Sequence, residues 1–201
     1  MASIGNDDTR RGLRVIRGGR SFERGPTLRI AAATEDRPPF PVDAVVLEED
    51  TYFVLSTDPQ LREPAEHPIR IWTELHEAEP AVPGSVVVRR GHAQRMLAVI
   101  HDLSQDPTWR REWVASALTE VFRMALEREI RGLGLWLLGA VYGKLGADGF
   151  MTLLREALER ARPSSLERLW LICPPRHLGE VQRRLHVEDW SFGESPAATD
   201  E

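Results

Sequence analysis

Three consecutive elements are predicted by residues 132–161, which read GLGLWLLGAVYGKLGADGFMTLLREALERA. The apolar run Leu133–Leu138 is too short for a helix and is typical of a buried strand. A glycine-rich turn follows, and glycine permits tight turns and close approach of the backbone to a ligand. Apolar residues then repeat at helical spacing on one face: Phe150, Leu153, Leu154, Ala157, Leu158 and Ala161. Because the start of a helix carries free N–H groups and a positive dipole end, this unit predicts a phosphate-binding turn.

Lys144 is the only lysine among 26 basic residues, and it lies inside this turn. Either a general bias toward arginine explains its isolation, or a compact ammonium is needed beside a bound phosphate. The turn is not a P-loop, because the spacing from Gly139 to Lys144 is one residue short. In addition, Leu145 stands where Ser or Thr would bind magnesium. These departures exclude an ATPase or a kinase.

The rest of the chain alternates predicted strands with predicted helices. Strands are predicted at 13–17, 27–31, 43–47, 51–55, 85–89, 96–101 and 168–173, the first two as a hairpin. A long amphipathic helix is predicted from Pro107 with Asp106 as its cap, and shorter helices at 69–78 and 177–185. This alternation favours an α/β fold with parallel pairing and helices on both faces of one sheet. Ligands are then expected at the carboxyl ends of the strands, at Glu48–Asp50 and Gly139–Gly146.

An acidic cluster, Glu48, Glu49 and Asp50, follows the apolar run 43–47. The chain either turns in a tight hairpin at Glu49-Asp50 or enters a ligand loop. A solvated turn is the simpler interpretation, because no histidine lies near these carboxylates in sequence. Four histidines also lack the helical spacing of a metal site: His67, His76, His92 and His101. We therefore predict no metal and no cofactor.

Composition and charge limit the class of protein. A net charge of −5 argues against bulk nucleic-acid binding, and the single Cys173 fits a reducing compartment without disulfides. No apolar run reaches membrane-spanning length and no signal core begins the chain, which predicts a cytoplasmic protein without membrane partners. Seven arginines fall among the first thirty residues. They form either the solvent-exposed face of a hairpin or an arm that binds an acidic partner. The predicted organisation is an N-terminal arm at 1–12, one domain at 13–186 and an acidic tail at 187–201.

The order VDAVV, PGSVVV, LAVIH, a long helix, and GLWLLGAVYG with its helix resembles a macro domain, the family of ADP-ribose-binding modules. The resemblance covers roughly residues 28–185. It implies a three-layer α/β/α sandwich around a mixed, mostly parallel sheet. It also implies that a loop of glycines, a branched residue and an aromatic wraps a diphosphate with backbone amides. The matching ligand- or phosphate-binding residues are Gly139, Ala140, Val141, Tyr142, Gly143 and Lys144.

Other positions depart from the pattern of that family. Relatives carry an aspartate for the adenine amino group where this chain has Ala31–Thr34. They carry an asparagine-rich segment for the distal ribose where this chain has Glu48, Glu49 and Asp50, which become a candidate pocket rim. Three hypotheses follow: a divergent, non-catalytic module for a nucleotide or other phosphorylated small molecule, a protein-protein interaction scaffold without ligand, or an ADP-ribosyl hydrolase using one of these carboxylates.

Overall fold

A computed structural model describes residues 28–55, 79–89, 93–141, 143–188 and 190. Its strands are β1 (Arg29–Ala33), β2 (Ala44–Asp50), β3 (Val86–Arg89), β4 (Gln94–His101), β5 (Gly132–Trp136) and β6 (Arg168–Ile172). Its helices are α1 (Arg111–Glu127), α2 (Gly146–Ala161) and α3 (Pro175–Val187). The predicted arm 1–12, the predicted strand 13–17, the predicted helix 69–78 and Tyr142 lie outside these residues.

The six strands form one sheet in the order β1-β6-β5-β2-β4-β3. All neighbouring pairs are parallel except β3 with β4, which is antiparallel. The predicted fold class is therefore confirmed as a mixed, mostly parallel sheet with helices. Because β1, β6, β5, β2 and β4 run the same way, their carboxyl ends meet at one edge, which we call the carboxyl edge.

The main core lies between the sheet and the three helices. It contains alternate residues of each central strand, such as Val46, Leu135 and Leu171, together with the apolar faces of all three helices. The opposite face of the sheet carries a smaller cluster of Phe40, Trp170 and Ile172. The period-2 alternation of buried residues thus fixes which side chains face the helices. Glu48 continues the row of Ala44 and Val46 at the end of β2.

Two predicted boundaries differ from the structure. Helix α1 begins at Arg111 and not at Pro107, because the N–H of Asp102 donates to the carbonyl of Thr108 at 2.7 Å and closes residues 102–108 as a turn. Arg110 is still extended, with φ −139° and ψ 147°. At the other end, α3 extends to Val187 and Trp190 packs against the main core, both within the range predicted as tail.

Candidate functional site

Three distant residues meet in the middle of the carboxyl edge. Glu48 at the end of β2 contacts His101 of β4 through its Oε1 and the Nε2 of the imidazole. The other oxygen of the same carboxylate accepts a hydrogen bond from the backbone N–H of Gly139, at 2.9 Å. Both side chains are buried, with 6% of Glu48 and 4% of His101 exposed. The first residue of the predicted phosphate loop is therefore bound by a carboxylate of the protein.

A shift in strand register accompanies this contact. Glu49 lies opposite Val99, and Asp50 lies opposite His101, so that β4 contains one more residue than β2 at this point. Such a bulge changes the direction in which the following side chains of the strand point. The irregularity thus falls directly beside Glu48 and His101.

Glu49 and Asp50 are buried, which corrects their interpretation as a solvated turn. Asp50 accepts backbone hydrogen bonds from Tyr52, Val54 and Leu55, at 2.7 to 2.9 Å, and Glu49 accepts one from Leu55 at 2.8 Å. Both residues have no exposed surface. Residues 51–55 are accordingly a tight loop and not the predicted strand, and they hold Phe53 at a φ of 59°.

The glycine loop comprises residues 139–145, of which Tyr142 is outside the described residues. Ala140 donates its N–H to the carbonyl of Leu137 at 3.0 Å, and Leu145 donates its N–H to the carbonyl of Gly139 at 3.2 Å. A Cβ on Gly143 would lie 3.0 Å from Cδ2 of Trp109, so the indole packs directly on this part of the loop. Among the described residues, no hydrogen bond reaches the backbone N–H of Val141, Gly143 or Lys144. The curled loop therefore retains amides that an anion can bind.

Helix α2 begins immediately after this loop. Among the residues that the structure describes, no side chain caps its amino end, and Gly146 adopts a φ of 71°, in the left-handed region that favours glycine. The acidic residue of its first turn, Asp148, is paired with Arg184 of α3 at 3.1 Å. Lys144 is exposed and has no ion pair within the part of the chain that the structure describes. Within the described residues, a cation without an ion pair therefore lies beside amides without a partner.

The loop from β4 to α1 forms a wall beside the glycine loop. His101 and Trp109 form an isolated antiparallel bridge, which closes residues 102–108 between them. Asp102 accepts hydrogen bonds from the N–H and hydroxyl of Ser104 and from the amide of Gln105. The hydrogen bond from the Ser104 side chain is the main reason that the pKa of Asp102 lies below its ordinary value.

A groove of about 450 Å³ opens on the same edge, where β1 ends and α3 begins. Its lining includes Ala33, Thr34, Asp36, Arg37 and Gln182. Strand β1 is two strands along from β5, roughly 10 Å at the usual strand spacing. The hydrogen bond from the Thr34 side chain is the first cause that keeps the pKa of Asp36 low, so this carboxylate is ionised at neutral pH.

Nucleophilic and metal chemistry find little support in the described residues. Burial raises the pKa of the Cys173 thiol to about 12, so it is protonated at neutral pH. No group of three or more His, Cys, Asp or Glu side chains that could hold a metal ion occurs among residues 28–55, 79–89, 93–141, 143–188 and 190. None of the helices in these ranges is long and apolar enough to cross a bilayer.

Sequence reasoning named most residues of the carboxyl edge but not their contacts. It placed Glu48 and the glycine loop at strand ends, and the structure brings these two together. His101 was predicted as one of four scattered histidines, although its position at the end of the apolar predicted strand 96–101 was a usable signal. Asp36 and Arg37 were not predicted as site residues, because they lie outside every predicted strand and helix.

Known protein structures match the fold of this chain. No protein-family model matches this sequence, and no curated protein does. The macro domain of ganglioside induced differentiation associated protein 2 superimposes with a TM-score of 0.56 at 12% identity, over 78% of this chain and 82% of that one. The macrodomain of Thermus aquaticus DarG gives 0.51 at 21% identity, over 73% and 98%. The Trypanosoma brucei macrodomain in complex with ADP-ribose gives 0.53 at 17%, over 78% and 68%.

The chain has the macro domain fold, as these superpositions show together with the sheet order described above. The predicted resemblance is therefore confirmed at the level of the fold. With identities of 12 to 21%, the superpositions concern the backbone arrangement and not the side chains of the site.

Proposed function

We propose that this chain is a binding module for ADP-ribose or a closely related phosphorylated nucleotide, and that it is not an enzyme. The fold supports the ligand class, since structures of the same fold include a Trypanosoma brucei macrodomain solved with ADP and with ADP-ribose. The observation that carries the proposal is the set of backbone amides at Val141, Gly143 and Lys144 without a partner in the described structure. These amides precede a helix start that no described side chain caps, and a phosphate is favoured there by hydrogen bonding and by the dipole.

The groove beside β1 is our proposed seat for the nucleoside part of the ligand. Its apolar floor of Ala32 and Ala33 suits a flat base, and the Asp36 carboxylate suits an amino group that donates to it. The expected aspartate is absent at residues 31–34, and Asp36 lies two residues further along in the same groove. A phosphate at the glycine loop and a base in this groove would lie along one edge of the sheet.

The absence of catalysis is proposed from the carboxylates that a hydrolase would need. Glu48 is bound to His101 and Gly139, while Glu49 and Asp50 bind backbone amides of residues 52–55. A carboxylate that already accepts these hydrogen bonds inside the protein is poorly placed to activate a water molecule. The interpretation of these three residues as a pocket rim is retained only for Glu48, which touches the glycine loop.

Isothermal titration calorimetry with ADP-ribose is the direct test of binding. We expect saturable heat and a ligand-dependent rise in melting temperature, because a ligand that binds only the folded chain stabilises it. Adenosine serves as the control without phosphate and ribose 5-phosphate as the control without base. No heat and no thermal shift at millimolar ADP-ribose would overturn the proposal and leave the interaction scaffold as the better account.

Hydrolysis is tested separately by incubating the chain with a mono-ADP-ribosylated protein. We expect no release of free ADP-ribose above the spontaneous rate. Release that the Glu48→Gln variant abolishes would contradict the proposed absence of catalysis. Binding and hydrolysis are thus assigned by independent measurements.

The cellular location and the partners of this chain are also proposals. We propose a cytoplasmic protein, supported by the single buried, unpaired Cys173. A protein partner for the arginine-rich first thirty residues stays a prediction, because residues 1–27 lie outside the described part of the chain.

A further inference from the structure

We infer that Glu48, oriented by His101, is a positioning residue that holds the glycine loop in the shape that binds phosphate. This inference rests on the proposed function, because it concerns the same site. Glu48 shapes the loop. Because its carboxylate accepts the Gly139 N–H, that amide is not available to a ligand. The neighbouring Trp109 completes the arrangement by packing on the other end of the loop.

The hold at the start of the loop is a hydrogen bond across two strands. Glu48 Oε2 accepts the N–H of Gly139 at 2.9 Å, and Gly139 has a φ of 71° that favours glycine. The Glu48 carboxylate is almost fully buried, and a buried carboxylate is costly unless donors surround it. His101 and Gly139 are those donors, so the carboxylate and the loop fix each other.

The hold at the far end of the loop depends on the same histidine. The backbone of His101 bridges to Trp109, whose indole lies against Gly143. His101 therefore supports the loop indirectly by two routes, through its side chain by way of Glu48 and through its main chain by way of Trp109. The amides of Val141, Gly143 and Lys144, which have no partner among the described residues, lie within this stretch and directly after it.

A preformed loop binds more tightly than one that must be ordered by the ligand, because ordering subtracts from the binding free energy. Removing the acceptor at Glu48 should therefore weaken binding even though Glu48 touches no ligand. Glutamine keeps a carbonyl oxygen for the Gly139 N–H, and its amide donates to Nε2 of His101 when the imidazole carries its proton on Nδ1. Leucine keeps the volume and offers neither group. The pair of variants separates positioning from packing.

The experiment measures ADP-ribose affinity and Gly139 amide exchange in the full chain and in Glu48→Gln and Glu48→Leu. We expect affinity within about threefold of the parent for Glu48→Gln and a loss of roughly tenfold or more for Glu48→Leu. The matched controls are Glu167→Gln and Glu167→Leu, which change a partly exposed residue directly before β6, at the opposite edge of the sheet. Both controls should bind as the parent does.

Amide exchange in the unmodified chain keeps the inference testable if Glu48→Leu does not fold. We expect the Gly139 amide to be protected roughly a hundredfold relative to an unstructured peptide. An unprotected Gly139 amide would overturn this inference and leave the proposed function standing. ADP-ribose binding by Glu48→Leu within threefold of the parent would do the same. If no variant and no parent chain binds any phosphorylated ligand, the proposed function fails, while protection of Gly139 that is lost in Glu48→Leu would still establish the hold on the loop.

Discussion

The backbone of Gly143 packs so closely on Gly139 that a Cβ at position 143 would lie 2.5 Å from the carbonyl oxygen of Gly139. That carbonyl is already the acceptor for the N–H of Leu145, at 3.2 Å. The curl of the glycine loop therefore depends on the absence of a side chain at residue 143. This contact within the loop gives the first prediction.

Gly143→Ala should abolish ADP-ribose binding and lower the free energy of unfolding by about 1 to 3 kcal/mol, because backbone or Trp109 must move to admit the methyl group. Gly143→Val should lose more stability, because its side chain is larger. Gly179→Ala in α3 is the control, since a Cβ there meets nothing within 4 Å. Calorimetry and thermal unfolding measure both effects. Parent-like binding by Gly143→Ala would show that the phosphate lies elsewhere.

Lys144→Ala should weaken ADP-ribose binding by about 1 kcal/mol, the usual size of a charge-assisted contact at an exposed position. The dependence of affinity on salt should also become shallower, because one cation fewer faces the phosphate. Titrations at two ionic strengths measure both quantities. Arg183→Ala, an exposed cation on α3, should alter neither. Equal salt slopes for the parent and Lys144→Ala would remove Lys144 from the site.

Asp36→Asn should weaken binding of ADP-ribose but leave ribose 5-phosphate unaffected, because the proposed contact of Asp36 is to the base. The low pKa of Asp36, due first to the hydrogen bond from the Thr34 side chain, implies that the acceptor is charged at neutral pH. Competition titrations with the two ligands measure the difference. Glu35→Asn changes the preceding exposed carboxylate, outside the groove lining, and serves as control. An equal loss for both ligands would contradict a base-specific contact.

Ser104→Ala should raise the pKa of Asp102 toward its ordinary value of 3.8, since the Ser104 side chain is the main cause of the lowered pKa. A carboxyl whose pKa is lower in the folded chain stabilises the fold above its unfolded pKa, and this contribution disappears as the pH falls below about 4. The variant should therefore lose less stability on acidification than the parent. Carboxyl NMR titration and unfolding at several pH values measure the effect, with Ser104→Thr expected to resemble the parent. An unchanged pKa in Ser104→Ala would assign the shift to another donor.

The strand, turn and helix of residues 132–161 were predictable because local periodicity and glycine spacing determine them. Residues 51–55 were not, although Tyr52, Phe53 and Val54 have strong strand preference. Their amides are captured by the carboxylates of Glu49 and Asp50, and such local hydrogen bonds compete with a sheet ladder. The same competition explains α1: Asp106 and Pro107 match a helix start, but the turn that joins Asp102 to Thr108 occupies that region.

The contacts of the site were beyond sequence reasoning for a different reason. Glu48, His101 and Gly139 are far apart in the chain and meet only because β2 lies between β4 and β5. The alternation of strands and helices predicts a parallel sheet but not this order, and it contains no sign of the register shift beside Asp50. Strand order and register are global properties, whereas periodicity is local.

The dependence of the glycine loop on Glu48 and His101 has a consequence for protein engineering. Residues 132–161 form a continuous strand, turn and helix that could be mistaken for an independent unit. Their turn is nevertheless supported by Glu48 of β2 and, through Glu48, by His101 of β4. We call residues 132–161 the cassette. Transplanting that cassette into a foreign scaffold would carry the glycines without their supports. A successful graft would have to bring β2 and β4 along as a three-strand unit.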